Sequence, residues 1–322
     1  MALEIRPPHP AEGPACRMLL PQAFTRGQCP DVLLAFADRQ VAGAIAFHAR
    51  GRQIGLVGLR VVRTHRRQGI GTQLLRHLCA DPLSARQTHV SAFADSLASP
   101  EAAPFLTANG FERAGRLFVF EADLDRMLAG MGRLRDRLVA SGRVPPQARL
   151  VTPSEAPLDQ ITALFDRYIL SERCLRPEFL RPPFASPRFQ ESSVVLLMDG
   201  RVAGLVLVEW LRDIHRAEVP ARIVIPEYRG GWANVLMMAV ALERGKAAGI
   251  KRVRFDSLED NADTLSLARR FNADTVHILD RFLREVGGRP TDESAATTRS
   301  QSVDGEPDPE GEFRKTVPAS DE

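Results

Sequence analysis

Apolar residues in this chain follow two rhythms. Short runs that are continuous or alternate with polar residues mark strands, and segments with apolar residues three and four positions apart mark amphipathic helices. The first strand-like run is Leu3 to Arg6, followed by a helical stretch around Ala15 to Phe24. Two further runs, Asp31 to Ala37 and Val41 to His48, flank a turn at Asp38-Arg39, and a longer apolar run covers Ile54 to Val62. A helix from Gly71 to Ala80, a strand from His89 to Ala94 and a short helix near Pro100 to Ala108 come next. Asn109-Gly110 then leads into a last strand pair, Phe111 to Arg113 and Phe118 to Ala122.

Asp123 to Ser141 reads as a helix, with Leu124, Met127, Leu128, Met131, Leu134 and Leu138 on helical spacing, and Gly142 and Pro145-Pro146 end it. Beyond it the same order returns. Strand Arg149 to Thr152, helix Leu158 to Leu170, and strands Ser193 to Met198 and Val202 to Trp210 around Asp199-Gly200 are followed by strand Arg222 to Ile225. Helix Trp232 to Gly249, strand Arg252 to Asp256, helix Asn261 to Phe271 and strand Thr275 to Phe282 complete it. Two copies of one mixed-sheet α/β domain are expected: 1–123, a helical linker over 124–147, and 148–287. A repeat of this length is too long for a solenoid unit.

A length of 322 residues with 44% apolar content suits two ordinary cores. The stretch 288–322 is rich in Pro, Ser, Thr and acids, cannot bury enough surface to offset its ordering entropy, and is expected to be a disordered acidic tail. Its net charge of −5 leaves +8 on the rest of a chain whose total is +3, a modest basic surface compatible with a phosphorylated ligand. No apolar run reaches the roughly 18 residues that cross a bilayer, and the first residues lack a signal-like apolar stretch, so a soluble, cytoplasmic protein without membrane partners is expected. Cys16, Cys29, Cys79 and Cys174 form no Cys-x-x-Cys pair, which argues against a metal site and a disulfide framework.

The candidate chemistry lies in Leu59 to Leu75, where an apolar strand enters a basic, glycine-punctuated turn that opens a helix. Such a turn suits an anion: the first N–H groups of a helix have no intrahelical acceptor, and the helix dipole adds positive potential. A nucleotide-hydrolase loop is excluded because the Gly245-Lys246 pair is followed by Ala247, and a dinucleotide fingerprint because its third glycine would fall on Leu74. The pattern Arg/Gln-x-x-Gly-x-Gly/Ala remains, met by Arg66, Gly69 and Gly71. With Leu59 and Val61 before it and Asn109-Gly110-Phe111 after the later helix, the segment resembles the acetyl-CoA loop of the GNAT superfamily of N-acetyltransferases. The resemblance implies two GNAT-like domains in tandem. It also implies that Val61 and Val62 offer main-chain groups to the pantetheine arm, and that Arg67, Gln68, Gly69, Ile70, Gly71 and Thr72 cradle the pyrophosphate, with Arg66 or Arg67 touching a phosphate.

The second copy reads Pro226-Glu227-Tyr228-Arg229-Gly230-Gly231-Trp232-Ala233-Asn234, with Trp232 and Asn234 at the loop's small positions, so it is expected to be degenerate, although Gly230-Gly231 leaves room for an altered anion nest. The tyrosine that serves many family members as acid is replaced by Leu106 in the first half and Ala268 in the second, and Tyr168 and Tyr228 are the only tyrosines. His48 and Asp95 are candidate bases, each with an ordinary structural explanation as a turn residue or a helix cap. Glu209, Asp213, His215 and Glu218 are expected to be a solvated hairpin face. The expected activity is acetyl transfer from acetyl-CoA to a small or peptide amine by direct attack, the alternative being a silent CoA-binding or scaffold protein. Nucleic acid is not expected as a partner, since stacking aromatics and a recognition helix are missing.

Overall fold

The computed structural model describes residues 3–21, 23–24, 30–50, 53–80, 89–95, 99–168, 187–229 and 231–286. The expected tail, Cys29, Cys174 and Gly230 lie outside the described residues. In the first half these form β1 (Leu3–Arg6), α1 (Gly13–Leu19), β2 (Asp31–Ala37), β3 (Gln40–Arg50), β4 (Gln53–Val61), α2 (Ile70–Ala80), β5 (His89–Ala94), α3 (Ala102–Ala108) and β6 (Glu112–Asp123). Helix α4 (Leu124–Ala140) leads into β7 (Ala148–Val151), α5 (Leu158–Tyr168), α6 (Pro187–Gln190), β8 (Val194–Met198), β9 (Arg201–Leu211) and β10 (Arg216–Val224). Helix α7 (Trp232–Ala247), β11 (Arg252–Leu258), α8 (Ala262–Arg270) and β12 (Asp274–Glu285) follow.

Two strands differ from the sequence expectation, helix α1 ends at Leu19 short of the expected Phe24, and the short helix α6 was not expected. The expected strand pair after Gly110 is one strand, β6: Gly115, at φ +102°, sits where the register against β12 slips between Asp280 and Phe282, so the glycine makes a bulge inside a continuous strand. Strand β10 begins six residues before the expected Arg222, at Arg216, and runs through Pro220. That proline, which has no N–H for a ladder, falls at the register shift between Glu218 and Ala221.

All strands join one sheet in the order β1-β2-β3-β4-β5-β12-β6-β11-β10-β9-β8-β7. Replacing each strand by its counterpart in the other half reverses this order, so the sheet is symmetric about the β6–β12 contact. Each half's last strand is exchanged: β12 pairs with β5 over Asp280–Glu285, and β6 pairs with β11 over Leu117–Asp123. The cores are exchanged with them. Phe282 and Val286 are buried in the cluster beneath α2, with Leu74, Leu78 and Phe111. Phe120 and Ala122 are buried with Met237, Leu242 and Phe255 beneath α7. Helix α4, capped by Asp123 Oδ1 on the Arg126 N–H at 2.8 Å, adds Leu124, Met127 and Met131 to that second cluster.

In both halves the two parallel strands separate after a few residues. β4 and β5 are paired only over Gln53–Gly55 and His89–Ser91, and β10 and β11 only over Arg216–Val219 and Arg252–Phe255. Helices α2 and α7 start beyond these splayed ends and cross the same sheet face. Gly43 of β3 and Gly204 of β9 allow the close approach. A Cβ on Gly204 would lie 2.9 Å from Met237 Cε and 3.0 Å from the Ile223 carbonyl, and one on Gly43 3.1 Å from the Arg60 carbonyl. Gly204→Ala should therefore destabilise the protein by about 1–3 kcal/mol, read as a lower denaturant midpoint with an unchanged slope.

At the outer edge, the Arg6 guanidinium grips Glu12 through two bonds of 2.7 and 2.8 Å, and the His9 N–H donates to the same carboxylate at 2.6 Å. The Arg6 bonds first, then the His9 bond, lower the Glu12 pKa to about 2. Because the folded value lies below the ordinary one, this contribution to stability is complete above the usual carboxylate range and is lost as pH falls towards 2. A carboxyl NMR titration should place the Glu12 midpoint there, and Arg6→Gln should return it towards the ordinary range.

Candidate functional site

The turn after β4 is built by its own hydrogen bonds. The Val62 N–H donates to the Ala42 carbonyl at 2.8 Å, a short 3-10 turn covers Arg63–His65, and the His65 N–H closes on the Val62 carbonyl at 2.9 Å. Arg66 Nε donates to the Val61 carbonyl at 3.2 Å and Gln68 Nε2 to the Thr64 carbonyl at 3.2 Å. Arg66 thus braces the loop, while the Arg67 side chain is exposed. Arg67 and Gly69 both adopt positive φ, +62° and +79°, which turns successive N–H groups towards one side before α2 begins at Ile70. The Gln73 N–H reaches back to the Gly69 carbonyl at 3.0 Å, so the N–H groups ahead of it in α2 have no acceptor within the helix.

The two glycines serve different purposes. A Cβ on Gly69 would meet nothing within 4 Å, so the loop opens to free space there, the fit that a large anion needs. A Cβ on Gly71 would lie 3.2 Å from the Phe105 ring and 3.5 Å from Leu59 Cδ2, so Gly71 is small because α2 packs against α3 and β4. Ile70 is buried in the core beneath α2, leaving its backbone as the part able to meet a ligand, and Thr72 is half-buried.

The two base candidates are not brought together. His48 is buried near the end of β3, opposite Gly55, and β4 separates its strand from β5. Asp95 follows the last residue of β5 and faces His277 of β12, Nδ1 to Oδ2 at 3.9 Å, a neighbour supplied only by the strand exchange. Leu106 is buried in the core beneath α2. The thiols of Cys16 and Cys79 have pKa values raised by burial, which suits packing better than nucleophilic work.

The second half repeats the loop with altered chemistry. Arg229 Nε donates to the Val224 carbonyl at 3.2 Å as Arg66 does to Val61, and the Ile225 N–H donates to Ala203 at 3.0 Å as Val62 does to Ala42. These matched bonds set Trp232 against Gly69, Asn234 against Gly71 and Arg222 against Leu59. Positive φ falls on Gly231, +87°, and α7 starts at Trp232, one position earlier than α2 starts in its half. Trp232 packs edge-on against Tyr228, ring centroids 6.1 Å apart.

Where β10 and β11 separate, a cleft of about 460 Å³ opens between them, α7 and α8. Leu117, Val219, Ile223, Met238, Phe255 and Leu267 give it apolar walls, and Arg222, Thr264, Asn234, Ser257 and Asn261 are among its polar lining. Sequence reasoning passed over Arg222, reading it only as the start of a strand; the signal available was an arginine inside an apolar strand beside a proline. Of the acidic hairpin residues, Glu209 is buried, not solvated, and lies opposite Glu218 across β9 and β10. Glu218 also accepts from Arg216 Nη2 at 2.9 Å.

A sequence model of the acetyltransferase (GNAT) domain matches residues 30–113, which includes β4, the loop and α2. Curated proteins gave no match. Among solved structures, the chain is similar to a tandem GNAT protein from the clavulanic acid biosynthesis pathway, with a TM-score of 0.56 and 19% identity over 89% of this chain and 99% of that one. The chain has the tandem GNAT fold. A GCN5-related N-acetyltransferase from Sphaerobacter thermophilus gives a TM-score of 0.53 at 15% identity over 88% of this chain and 96% of that one. One from Anabaena variabilis gives 0.57 at 13% identity over 89% and 73%. The first half has the open glycine turn, and the second has Trp232 at the matching position. No helix among the described residues is long and apolar enough to cross a membrane.

Proposed function

We propose that this GNAT protein transfers an acetyl group from acetyl-CoA to an amine, and that the first half, 1–123, carries the donor site. Under this reading 124–147 connects it to a diverged copy, 148–287. The observation that carries the reading is the loop at Arg66–Thr72, whose paired positive-φ residues and acceptor-free N–H groups face open space at Gly69.

Acetyl-CoA supplies an activated thioester with a good leaving group. The N–H groups of Gln68, Gly69, Ile70, Gly71 and Thr72 bind the pyrophosphate, and the exposed Arg67 adds positive charge. Arg66 acts from behind by fixing the Val61 carbonyl. Val61 and Val62 offer the pantetheine arm carbonyl lone pairs that their intraloop bonds leave over, because the Val62 N–H is already committed to Ala42. The gap that opens between β4 and β5 beyond Gly55 and Ser91 admits the arm. With Leu106 in the core, no phenol stands by the leaving thiolate, so departure relies on the thiolate's own stability or on water. Asp95 at the end of β5 and His277 of β12, 3.9 Å apart, are groups able to take the ammonium proton.

Calorimetry with acetyl-CoA, followed by an amine screen scored by free-thiol release, tests this. One equivalent per chain and release above background with some amine are expected. Tight binding with no release for any amine across pH 6 to 9 would replace the enzyme by a silent CoA-binding scaffold, the reading that the buried Leu106 favours.

A further inference from the structure

The second-half cleft contains a charge with no function in acetyl transfer. Arg222 projects from β10 to the α8 side of the sheet, where its Nη2 donates to Thr264 Oγ1 at 2.9 Å, the one hydrogen bond its side chain makes among the described residues. Burial pushes the guanidinium pKa down, and the charge of Asp263 only partly offsets this, since that carboxylate is not in contact. The remaining donors of Arg222 open on the cleft that it lines. The matching residue of the first half, Leu59, has an apolar side chain that lies beside Gly71 and the Phe105 ring. An ordinary hydrophobic contact has therefore been exchanged for a half-buried cation held by a neutral hydroxyl. Such a cation gains from a carboxylate arriving with the ligand, because a hydrogen bond between charged partners is stronger than one to a neutral hydroxyl.

The rest of the lining narrows the ligand. Arg229 is already engaged, with Nε on the Val224 carbonyl and its guanidinium 5.9 Å from the Tyr168 ring. Asp260 and Asp263 are exposed lining residues, and Asp256 has a partner of its own. With two arginines and three aspartates the cleft carries no excess positive charge, so a simple polyanion is repelled. A molecule with one carboxylate, one ammonium and an apolar body matches the arrangement. We propose that the cleft between β10, β11, α7 and α8 is a second ligand site, taking an apolar α-amino acid whose carboxylate meets Arg222 and Thr264 and whose ammonium faces Asp260 and Asp263. At about 460 Å³ it is within the usual range for small-molecule pockets, roughly 300–1,000 Å³. The site does not depend on the acetyl-transfer reading, because none of its residues belongs to the first-half loop.

The test is calorimetry on the full chain with L-leucine, L-methionine and L-phenylalanine, together with the deaminated acid and decarboxylated amine of each. At least one amino acid should bind, its acid more weakly and its amine not measurably. Arg222→Met should weaken that binding roughly ten- to a hundredfold, the usual worth of a hydrogen bond to a charged group, and leave acetyl-CoA binding unchanged. Thr264→Val, nearly isosteric, serves as a second variant if Arg222→Met does not fold, and should weaken binding severalfold. Failure of all three amino acids, indifference to both substitutions, or displacement of the amino acid by a second equivalent of acetyl-CoA would overturn the proposal. Loss of acetyl-CoA binding or turnover elsewhere would leave these results intact, so the two readings fail separately.

Discussion

A chain ending after Phe271 should not fold in either half. That truncation removes β12, which supplies the neighbour of both β5 and β6, and with it Phe282 and Val286 from the core beneath α2. The first half would lose buried side chains that lie more than 150 residues from the rest of their core in sequence, and β6 would be left with an open edge beside Phe118 and Phe120. The expected result is insoluble protein, or a species without a cooperative unfolding transition. The same logic predicts that a fragment 1–123 fails alone, since Phe120 and Ala122 belong to the other half's core. A milder version keeps the protein measurable: Phe282→Ala should cost about 3–5 kcal/mol, and hydrogen exchange should show the loss in β5 and α2 as well as in β12. If 1–123 gave a stable monomer with a cooperative melt, the exchange of strands would not be what holds the halves together.

Gly69→Trp should abolish acetyl-CoA binding while leaving the protein folded. The new side chain has free space, since nothing lies within 4 Å of a Cβ there, and that space is the approach to the helix N–H groups. The cost to stability is set by the positive φ of +79°, about 1–2 kcal/mol for a residue with a Cβ. The second half shows how the strain is relieved: with Trp232 at the matching position, positive φ moves to Gly231 and the helix starts one residue earlier. Calorimetry should detect no binding under conditions in which the unaltered chain saturates, with a melting temperature lowered by only a few degrees. Retained affinity would place the donor site elsewhere and withdraw the proposed function of the first half. Gly71→Trp is the poorer probe, because its Cβ presses on Phe105 and any loss of binding would be mixed with loss of packing.

Local physics made much of this molecule legible in its sequence. The continuous apolar run of β2, the two-residue turns at Asp38-Arg39 and Asp199-Gly200, with positive φ at each, and the apolar spacing of α4 all depend on residues close together in the chain. So does the loop: an apolar strand, a basic turn with two glycines and an amphipathic helix can be read as a motif because the N–H groups that would bind an anion belong to consecutive residues. The break expected between Arg113 and Phe118 is instead a bulge at Gly115 for a related reason. A glycine between two apolar stretches suits a turn or a bulge equally well, and only the partner strand decides which.

What the tertiary structure alone decided are the choices between equivalent partners. β6 and β12 carry similar patterns and would satisfy the same hydrogen bonds beside either β5 or β11, so no local feature says which half each strand completes; that follows from where Phe120 and Phe282 find space. The placing of His277 beside Asp95 and of α4 in the second core follows from that choice. Arg222 is a similar case. In sequence it is one arginine among many, and it gains meaning only once β10 has parted from β11 beyond Val219 and Phe255, because desolvation depends on what surrounds a charge and not on its neighbours along the chain.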